Sequence, residues 1–171
     1  YPASEERVVT VKGGKNVLIR PARASDVILL QDVFYSLTEQ DRYTRFFTRL
    51  KSFTTSAAEH LCNVDYDKEM AFVALQADSE DDDIIGSSCY FVNPTSNLAE
   101  VAYMIRPGWQ GCGLGGVLQQ RMIEYAKARG LRGFTADILA QNIKMKKLFQ
   151  AGSPNVSVEL EGGTYEVRMI F

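Results

Sequence analysis

The stretch AEVAYMIRPGWQGCGLGG, residues 99–116, decides the fold, because an apolar strand runs into a glycine-dense loop that leads directly into a helix. Glycines let several backbone N–H groups point inward, and the helix directs the positive end of its dipole at the same spot. Apolar residues at three- and four-residue spacing predict this helix, and Gly130 marks its end. The stretch therefore predicts an anion cradle whose ligand is a phosphate or pyrophosphate.

A Walker phosphate loop does not fit this stretch. Such a loop needs Gly-Lys-Ser or Gly-Lys-Thr, because the lysine reaches the outer phosphates and the hydroxyl binds magnesium. Here Gly115 and Gly116 are followed by Val117. The Walker interpretation therefore fails.

A dinucleotide-binding Rossmann loop is the second alternative. Gly111, Gly113 and Gly116 match G-x-G-x-x-G, and Asp137 lies about 20 residues downstream, where a ribose-binding acid belongs. However, residues 106–110 separate the strand from the first glycine, where that motif has a tight turn. The rest of the chain also offers no series of βαβ repeats. The surroundings therefore disfavour this interpretation.

The hexapeptide QGCGLG, residues 110–115, resembles the Q/R-x-x-G-x-G/A loop of the GNAT acyltransferase superfamily. In that superfamily the loop holds the pyrophosphate of acetyl-CoA. Gln110, Gly113 and Gly115 fill all three specified positions. The third interpretation of the loop is therefore a GNAT loop.

The rest of the chain continues the resemblance. The family places a long helix after the loop, then a strand, then a short helix that begins with asparagine, and residues 133–139, Asn142 and 143–149 supply that order. Further stretches look like the GNAT domains fused to bacterial acetyl-CoA hydrolase/transferases or acyl-CoA synthetases, and like bacterial protein lysine acetyltransferases: 1–2, 17–21 with Asp26, 35–37, 41–47 and 160–163. The resemblance covers essentially the whole chain.

The resemblance implies a mixed α/β, GNAT-like fold. A central, mostly antiparallel, twisted sheet is flanked by helices, and acetyl-CoA is bound between two splayed strands. We expect residues 1–171 to form one GNAT domain, since 171 residues with 46% hydrophobic content can bury their own core. The chain begins Tyr1-Pro2 without an initiator methionine. We therefore expect a C-terminal part of a longer chain, attached to an upstream CoA-enzyme domain.

The implied function is N-acetyl transfer from acetyl-CoA directly to an amine, in particular a protein lysine, without a metal. Such a transfer needs a neutral amine and a polarised carbonyl, so the protein mainly positions groups and moves protons. The alternative is a non-catalytic acetyl-CoA sensor that regulates the attached enzyme.

Glu100 is the candidate general base. It lies near the start of the strand that ends at the loop, and related protein acetyltransferases carry a glutamate at this place. The implied role is to accept a proton from the lysine ammonium. The alternative is a strand glutamate that pairs with a basic neighbour.

The resemblance assigns acetyl-CoA to the loop and its flanks. Ile105 is expected to present backbone groups to the thioester carbonyl and pantetheine, and Asn142 to cap its helix and hydrogen-bond the pantetheine arm. Cys112 occupies a variable loop position, so a structural role is favoured over a nucleophile. The predicted cofactor-binding residues are Ile105, Gln110, Gly111, Cys112, Gly113, Leu114, Gly115, Gly116 and Asn142.

The general acid is not assigned. Many family members place a tyrosine in the last helix to protonate the departing thiolate, but this chain has Phe149 there. Tyr103 and Tyr165 lie elsewhere, and the sequence favours neither as a substitute. Three lysines of the same helix either meet the adenosine 3′-phosphate or are surface residues: Lys144, Lys146 and Lys147.

Composition excludes several other classes of protein. The formal charge of −2, without a basic block, disfavours nucleic acid as a partner. No apolar run approaches the roughly 20 residues that span a bilayer, and no signal peptide is present, so no membrane partner is expected. Three cysteines without CxxC spacing favour a reducing, cytoplasmic location, and a single histidine argues against zinc or a Ser-His-Asp triad.

Periodicity and turn residues predict the other elements. Ser25 is expected to cap one helix, Ser56 to cap another in a capping box with Glu59, and a further helix to follow Thr38. Two hairpins are predicted at 8–20 and 156–171, two strands at 70–76 and 84–92, a solvated acidic loop at 78–83, and an aromatic-basic cluster at Arg42, Tyr43, Arg45, Phe46 and Phe47.

Overall fold

A computed structural model of the chain describes residues 1–38 and 54–171. The predicted helix after Thr38 and the aromatic-basic cluster at 42–47 lie outside the described residues. The strands are β1 (Arg7–Thr10), β2 (Asn16–Pro21), β3 (Glu69–Gln76), β4 (Ile84–Asn93), β5 (Leu98–Ile105), β6 (Gly133–Leu139), β7 (Val156–Glu161) and β8 (Thr164–Ile170). The helices are α1 (Val27–Ser36), α2 (Thr55–Cys62), α3 (Leu114–Ala128) and α4 (Ile143–Gly152). Both predicted hairpins and both predicted central strands are therefore confirmed.

One sheet contains these strands in the order β1-β2-β3-β4-β5-β6-β8-β7. Neighbouring strands are antiparallel except β5 and β6, which run parallel. This pair stays in register only where Leu98–Glu100 faces Gly133–Thr135. Beyond Glu100 the two strands separate, and β5 continues toward the glycine loop. The predicted fold, a mostly antiparallel sheet flanked by helices, is confirmed.

Helices cover both faces of the central strands. On one face α3 and α4 pack over β5 and β6 through buried apolar residues, which include Leu118, Met122, Phe149, Val101 and Phe134. On the other face α1 and α2 pack through a second set, which includes Leu30, Phe34, Leu61, Ala102 and Met104. Because successive strand residues point to opposite faces, Val101 and Ala102 belong to different clusters. The clusters define an α3 face and an α1 face of the sheet.

A close approach between β4 and α3 fixes the start of α3. A Cβ at Gly86 would lie 3.2 Å from side-chain atoms of both Leu114 and Leu118. A larger residue at this position would push the helix away from the sheet. Gly86 therefore helps to set where the α3 N-terminus meets the end of β5.

The predicted caps of α1 and α2 are wrong. Ser25 lies inside a 3₁₀ turn, Ala24–Asp26, so its backbone is not free to take the extended conformation of a cap. Thr54, rather than Ser56, caps α2, because its hydroxyl accepts a hydrogen bond from the Ala57 N–H at 3.1 Å.

Asp26 forms a buried ion pair before α1. Its carboxylate receives two hydrogen bonds from the Arg20 guanidinium, at 2.8 and 2.9 Å, and one from the Arg23 N–H at 2.8 Å. Arg20 is 5% exposed and Asp26 is 2% exposed. The pair ties β2 to the start of α1, and the pairing with Asp26 raises the pKa of Arg20 against the lowering effect of burial.

None of the helices that the structure describes has the length and apolar character that crossing a lipid bilayer requires.

Candidate active site

The glycine loop forms the predicted cradle at the start of α3. Gly113 is the N-cap residue with φ +87°, and Gly111 has φ +79°, both in the left-handed region that favours glycine. A Cβ at either position would meet nothing within 4 Å. The loop backbone is therefore open toward the cavity, and the first N–H groups of α3 are available to an anion.

Contacts with the N-terminal hairpin hold this loop in place. The Lys12 N–H donates to the Cys112 carbonyl at 3.0 Å, and the Lys15 ammonium lies 4.6 Å from the centre of the Trp109 ring. The Cys112 thiol donates to the Trp109 carbonyl at 2.9 Å. These contacts support the structural role predicted for the Cys112 side chain.

Gln110 connects the end of β5 to α4. Its Nε2 donates to the Ile105 carbonyl at 3.1 Å, and its Oε1 accepts from the Lys144 ammonium at 3.3 Å. Gln110, the first specified residue of the loop motif, thus holds the loop against β5 and α4 on either side of the cavity. Lys146, another of the three lysines of α4, instead lies over the Tyr165 ring, with its ammonium 4.5 Å from the ring centre.

A cavity of about 890 Å³ opens between this loop, β5 and α4. It is lined by Ile105, Gln110, Gly111, Gly113, Leu114, Gly115 and Asn142 among the predicted cofactor-binding residues, and also by Tyr103, Trp109, Lys144, Lys147 and Leu148. The volume lies within the range of small-molecule sites. Cys112, Gly116 and Glu100 are not among the lining residues. Their roles stay predictions.

Asn142 lines this cavity and has one buried polar atom without a described partner. Its Oδ1 accepts from the Met145 N–H at 3.2 Å and so caps α4, as predicted. Its Nδ2 is buried and has no hydrogen-bond partner among the described residues. Because burying an unsatisfied donor is unfavourable, this atom suits a ligand that brings an acceptor.

Tyr103 also lines the cavity and has a buried hydroxyl without a described partner. The side chain is 1% exposed, and its hydroxyl has no partner in the described part of the chain. Its ring packs edge-on against Phe149 of α4, with 5.8 Å between ring centres. Burial raises the pKa of Tyr103 well above its ordinary value. The loop motif does not specify a residue at position 103. Only the alternation of side chains along β5 could have predicted that Tyr103 lies on the same face as Ile105.

Glu100 lies on the α1 face, at the last residue pair that β5 shares with β6. Across the sheet it is in register with Phe91 on β4 and Thr135 on β6. Tyr103 and Ile105 lie on the opposite face of the same strand. Glu100 is thus on the opposite face of β5 from Tyr103 and Ile105, whereas the cavity is also lined by Leu37 of the α1 face.

The structure also brings His60 close to the row of residues that lie opposite one another on β3, β4 and β5 and that ends at Glu100. In the sequence His60 is far from Glu100. His60 Nε2 lies 2.7 Å from Glu69 Oε2, and its ring stacks on Phe91 at 5.6 Å. Glu69, Phe91 and Glu100 are consecutive neighbours across three strands. Across residues 1–38 and 54–171, no three His, Cys, Asp or Glu side chains gather closely enough to hold a metal ion.

Comparison with known proteins gives consistent matches. Residues 33–152 match the model of the acetyltransferase (GNAT) family. An acetyltransferase of Pseudomonas aeruginosa is 30% identical over 141 residues, which is 82% of this chain and 76% of that protein. The acetyltransferase Pat of Mycolicibacterium smegmatis is 29% identical over 142 residues, and the match spans only 41% of its length.

A solved structure shows the same fold over the full chain. The GNAT domain of PAT from S. lividans superposes with a TM-score of 0.86 at 22% identity. The superposition covers 100% of this chain and 99% of that domain. The terminal hairpins that lie outside the family match are therefore shared as well.

Proposed function

The chain belongs to the GNAT acetyltransferase family, and we propose that it moves an acetyl group from acetyl-CoA to the side-chain amine of a protein lysine. The observation that carries this proposal is the open glycine cradle at the α3 N-terminus, next to the separation of β5 and β6. Enzymes of this family take their acyl group from acetyl-CoA. The roles proposed below for individual residues are therefore roles in acyl transfer.

The residues of the cavity fit acetyl-CoA. The open backbone at Gly111 and Gly113 suits the pyrophosphate, since N–H groups and the helix dipole both favour an anion there. The Nδ2 of Asn142, which has no partner among the described residues, suits a carbonyl of the pantetheine arm. Lys144 and Lys147 line the same cavity and add positive charge. When bound, acetyl-CoA supplies the activated acyl group.

Replacing Asn142 with alanine tests this fit. We expect the affinity for acetyl-CoA, measured by calorimetry, to fall roughly 3- to 10-fold, because one hydrogen bond is lost. The free energy of unfolding should fall by about 1 kcal/mol, because α4 loses its cap. Thr54→Ala is the matched control, since it removes a similar cap from α2, far from the cavity. Unchanged affinity in Asn142→Ala would remove Asn142 from the cofactor-binding set.

In this proposal Glu100 acts as the base. A lysine amine has a pKa near 10.4 in water, so it arrives as an ammonium and must lose a proton before it attacks. Glu100, half-buried on the α1 face, accepts that proton. Most of the residues that line the cavity lie on the α3 side, with Leu37 of the α1 face beside them, so the cosubstrate reaches the gap between β5 and β6 mainly from the α3 side and the amine reaches Glu100 from the α1 side. This arrangement supports direct transfer without a covalent enzyme intermediate.

Two further parts of the proposal concern the attachment of this domain and its cellular compartment. The match to Pat covers 41% of that protein, which is therefore longer than this chain. Attachment of this domain to an upstream CoA-enzyme domain is a further part of the proposal. Among the described residues the three cysteines are free, and burial raises the pKa of Cys62 and Cys89 to about 12. Free thiols suit a reducing compartment, and we propose that the reaction occurs in the cytoplasm.

The first experiment combines binding with turnover. Acetyl-CoA is titrated by calorimetry with NAD and ATP as controls, and thiol release is followed with a panel of lysine peptides. Each peptide is paired with the same peptide carrying arginine instead of lysine. We expect acetyl-CoA binding and thiol release that requires the lysine. Binding without release would contradict transfer and favour a sensor, and no binding would overturn both.

A further inference from the structure

Leu37 connects the cofactor cavity with the α1 face of the sheet. It follows the last residue of α1, its side chain is 5% exposed, and it belongs to the apolar cluster that includes Met104. Of the described residues that line the cavity, Leu37 alone belongs to that cluster, whereas Tyr103 and Ile105 lie on the α3 face. β5 is paired with β4 along its whole length but with β6 only up to Glu100. The cavity therefore has wall residues from both faces, and the open side of β5 is the one toward β6.

The course of α1 places Leu37 beside this gap. α1 begins next to Asp26, which Arg20 of β2 holds, and it contacts both β4 and β5. In the sheet β5 is the third strand from β2, at a separation of about 14 Å. The ten residues of α1 span about 15 Å. A helix that starts beside β2 and has this length ends over β5. Asp32, in the middle of α1, already reaches Arg106 just after β5, at 3.1 Å.

The gap between β5 and β6 is where the two substrates meet in the proposed acyl transfer, on which this inference rests. The glycine cradle on the α3 side suits the pyrophosphate of acetyl-CoA, and the lysine amine reaches Glu100 from the α1 side. The acyl group is the part of the cosubstrate that must contact the amine. It therefore belongs at the α1 end of the cavity, where Leu37 is the lining residue among those described.

We propose that the Leu37 side chain forms the end wall of the acyl site and restricts the cosubstrate to short acyl groups. Leucine has no polar side-chain atom, so its contact with an acyl group is apolar and depends on chain length. An acetyl methyl group fits against it, whereas the two further methylenes of a butyryl group need the volume that the leucine occupies. One methylene in an apolar site changes selectivity by about 10- to 200-fold. Leu37 is thus a specificity-determining residue.

The end of α1 holds Leu37 in this position. The Leu37 N–H donates to the Phe34 carbonyl at 3.2 Å, and the side chains of Val33 and Phe34 are fully buried. Close-packed side chains resist displacement, because moving one of them disturbs its neighbours. A longer acyl chain therefore does not push Leu37 aside without loss of binding energy.

The test compares Leu37→Val and Leu37→Ala with the wild-type protein in calorimetric titrations with acetyl-CoA and with butyryl-CoA. We expect the wild-type protein to bind acetyl-CoA at least about tenfold more tightly than butyryl-CoA. Because both variants remove volume from the end wall, this preference should fall about 2- to 5-fold in Leu37→Val and about 10- to 100-fold in Leu37→Ala. Valine suits the extended backbone at this position, with φ −73° and ψ 149°, so Leu37→Val keeps the fold.

Leu30→Ala is the matched control, since Leu30 is a fully buried leucine of α1 that does not line the cavity. It should lower the free energy of unfolding as Leu37→Ala does but keep the wild-type preference. Equal binding of both cosubstrates by the wild-type protein, or a preference that both Leu37 variants leave unchanged, would overturn the inference whether or not the protein transfers the acyl group. Absence of lysine-dependent thiol release in the wild-type protein would instead contradict the proposed transfer, because the binding preference is measured without an acceptor.

Discussion

Replacement of Glu100 with glutamine is expected to lower kcat by roughly 10²- to 10⁴-fold while acetyl-CoA affinity stays within about twofold. Glutamine keeps the shape of the side chain but cannot accept the proton of the lysine ammonium. The affinity should hold because Glu100 is not among the residues that line the cavity. Steady-state thiol release with a lysine peptide and calorimetry with acetyl-CoA measure the two quantities.

The pH profile separates loss of the base from a structural defect. Without the base, the reaction depends on the small fraction of lysine that is already neutral, and this fraction grows as pH rises toward about 10.4. The kcat of Glu100→Gln should therefore increase tenfold per pH unit below that value. Glu69→Gln is the control, since Glu69 lies in the same row across the sheet and its carboxylate contacts His60. A kcat equal to that of the wild-type protein would remove Glu100 from its proposed role.

The largest effect on stability is expected from Asp26→Ala. This change leaves the buried Arg20 guanidinium without its carboxylate partner, and breaking one side of a buried ion pair costs about 3–5 kcal/mol. Urea denaturation should show that loss in the free energy of unfolding. The comparison variant is Asp32→Ala, whose partner Arg106 lies 3.1 Å away and whose side chain is 64% exposed. There we expect a change below about 1 kcal/mol.

A double variant, Arg20→Met/Asp26→Leu, shows whether the penalty comes from the uncompensated charge. Apolar residues of similar volume remove both charges together, so much of the stability lost in Asp26→Ala should return. If the double variant is as unstable as Asp26→Ala, the hydrogen bond from the Arg23 N–H to Asp26, rather than the ion pair, carries the effect.

Features set by residues close together in the chain could be predicted from the sequence. The loop at 110–115, the helix that follows it and the Asn142 cap each depend on a few consecutive residues, and the structure contains all three. The fold followed from the resemblance and from strand alternation. The cap of α1 could not be predicted, because Asp26 is held by Arg20, on a strand before the turn.

Features that depend on the arrangement of the whole sheet could not be predicted from the sequence. The ring contact between Tyr103 and Phe149 depends on how α4 packs against β5, which no local pattern encodes. His60 reaches Glu69 and Phe91 only because β3 and β4 lie side by side under α2. Assigning Glu100 to the α1 face likewise required the register of β5 with both neighbours.

The hydrogen bond from Lys12 to the glycine loop has a consequence for how this protein can be divided. A gene fragment cut to the family match, residues 33–152, would encode every glycine of the loop but not the hairpin that supports it. It would also lose β8, and so expose one edge of β6 to aggregation. The segment that matches the family is therefore shorter than the folded domain. Recombinant fragments and domain fusions should keep both terminal hairpins.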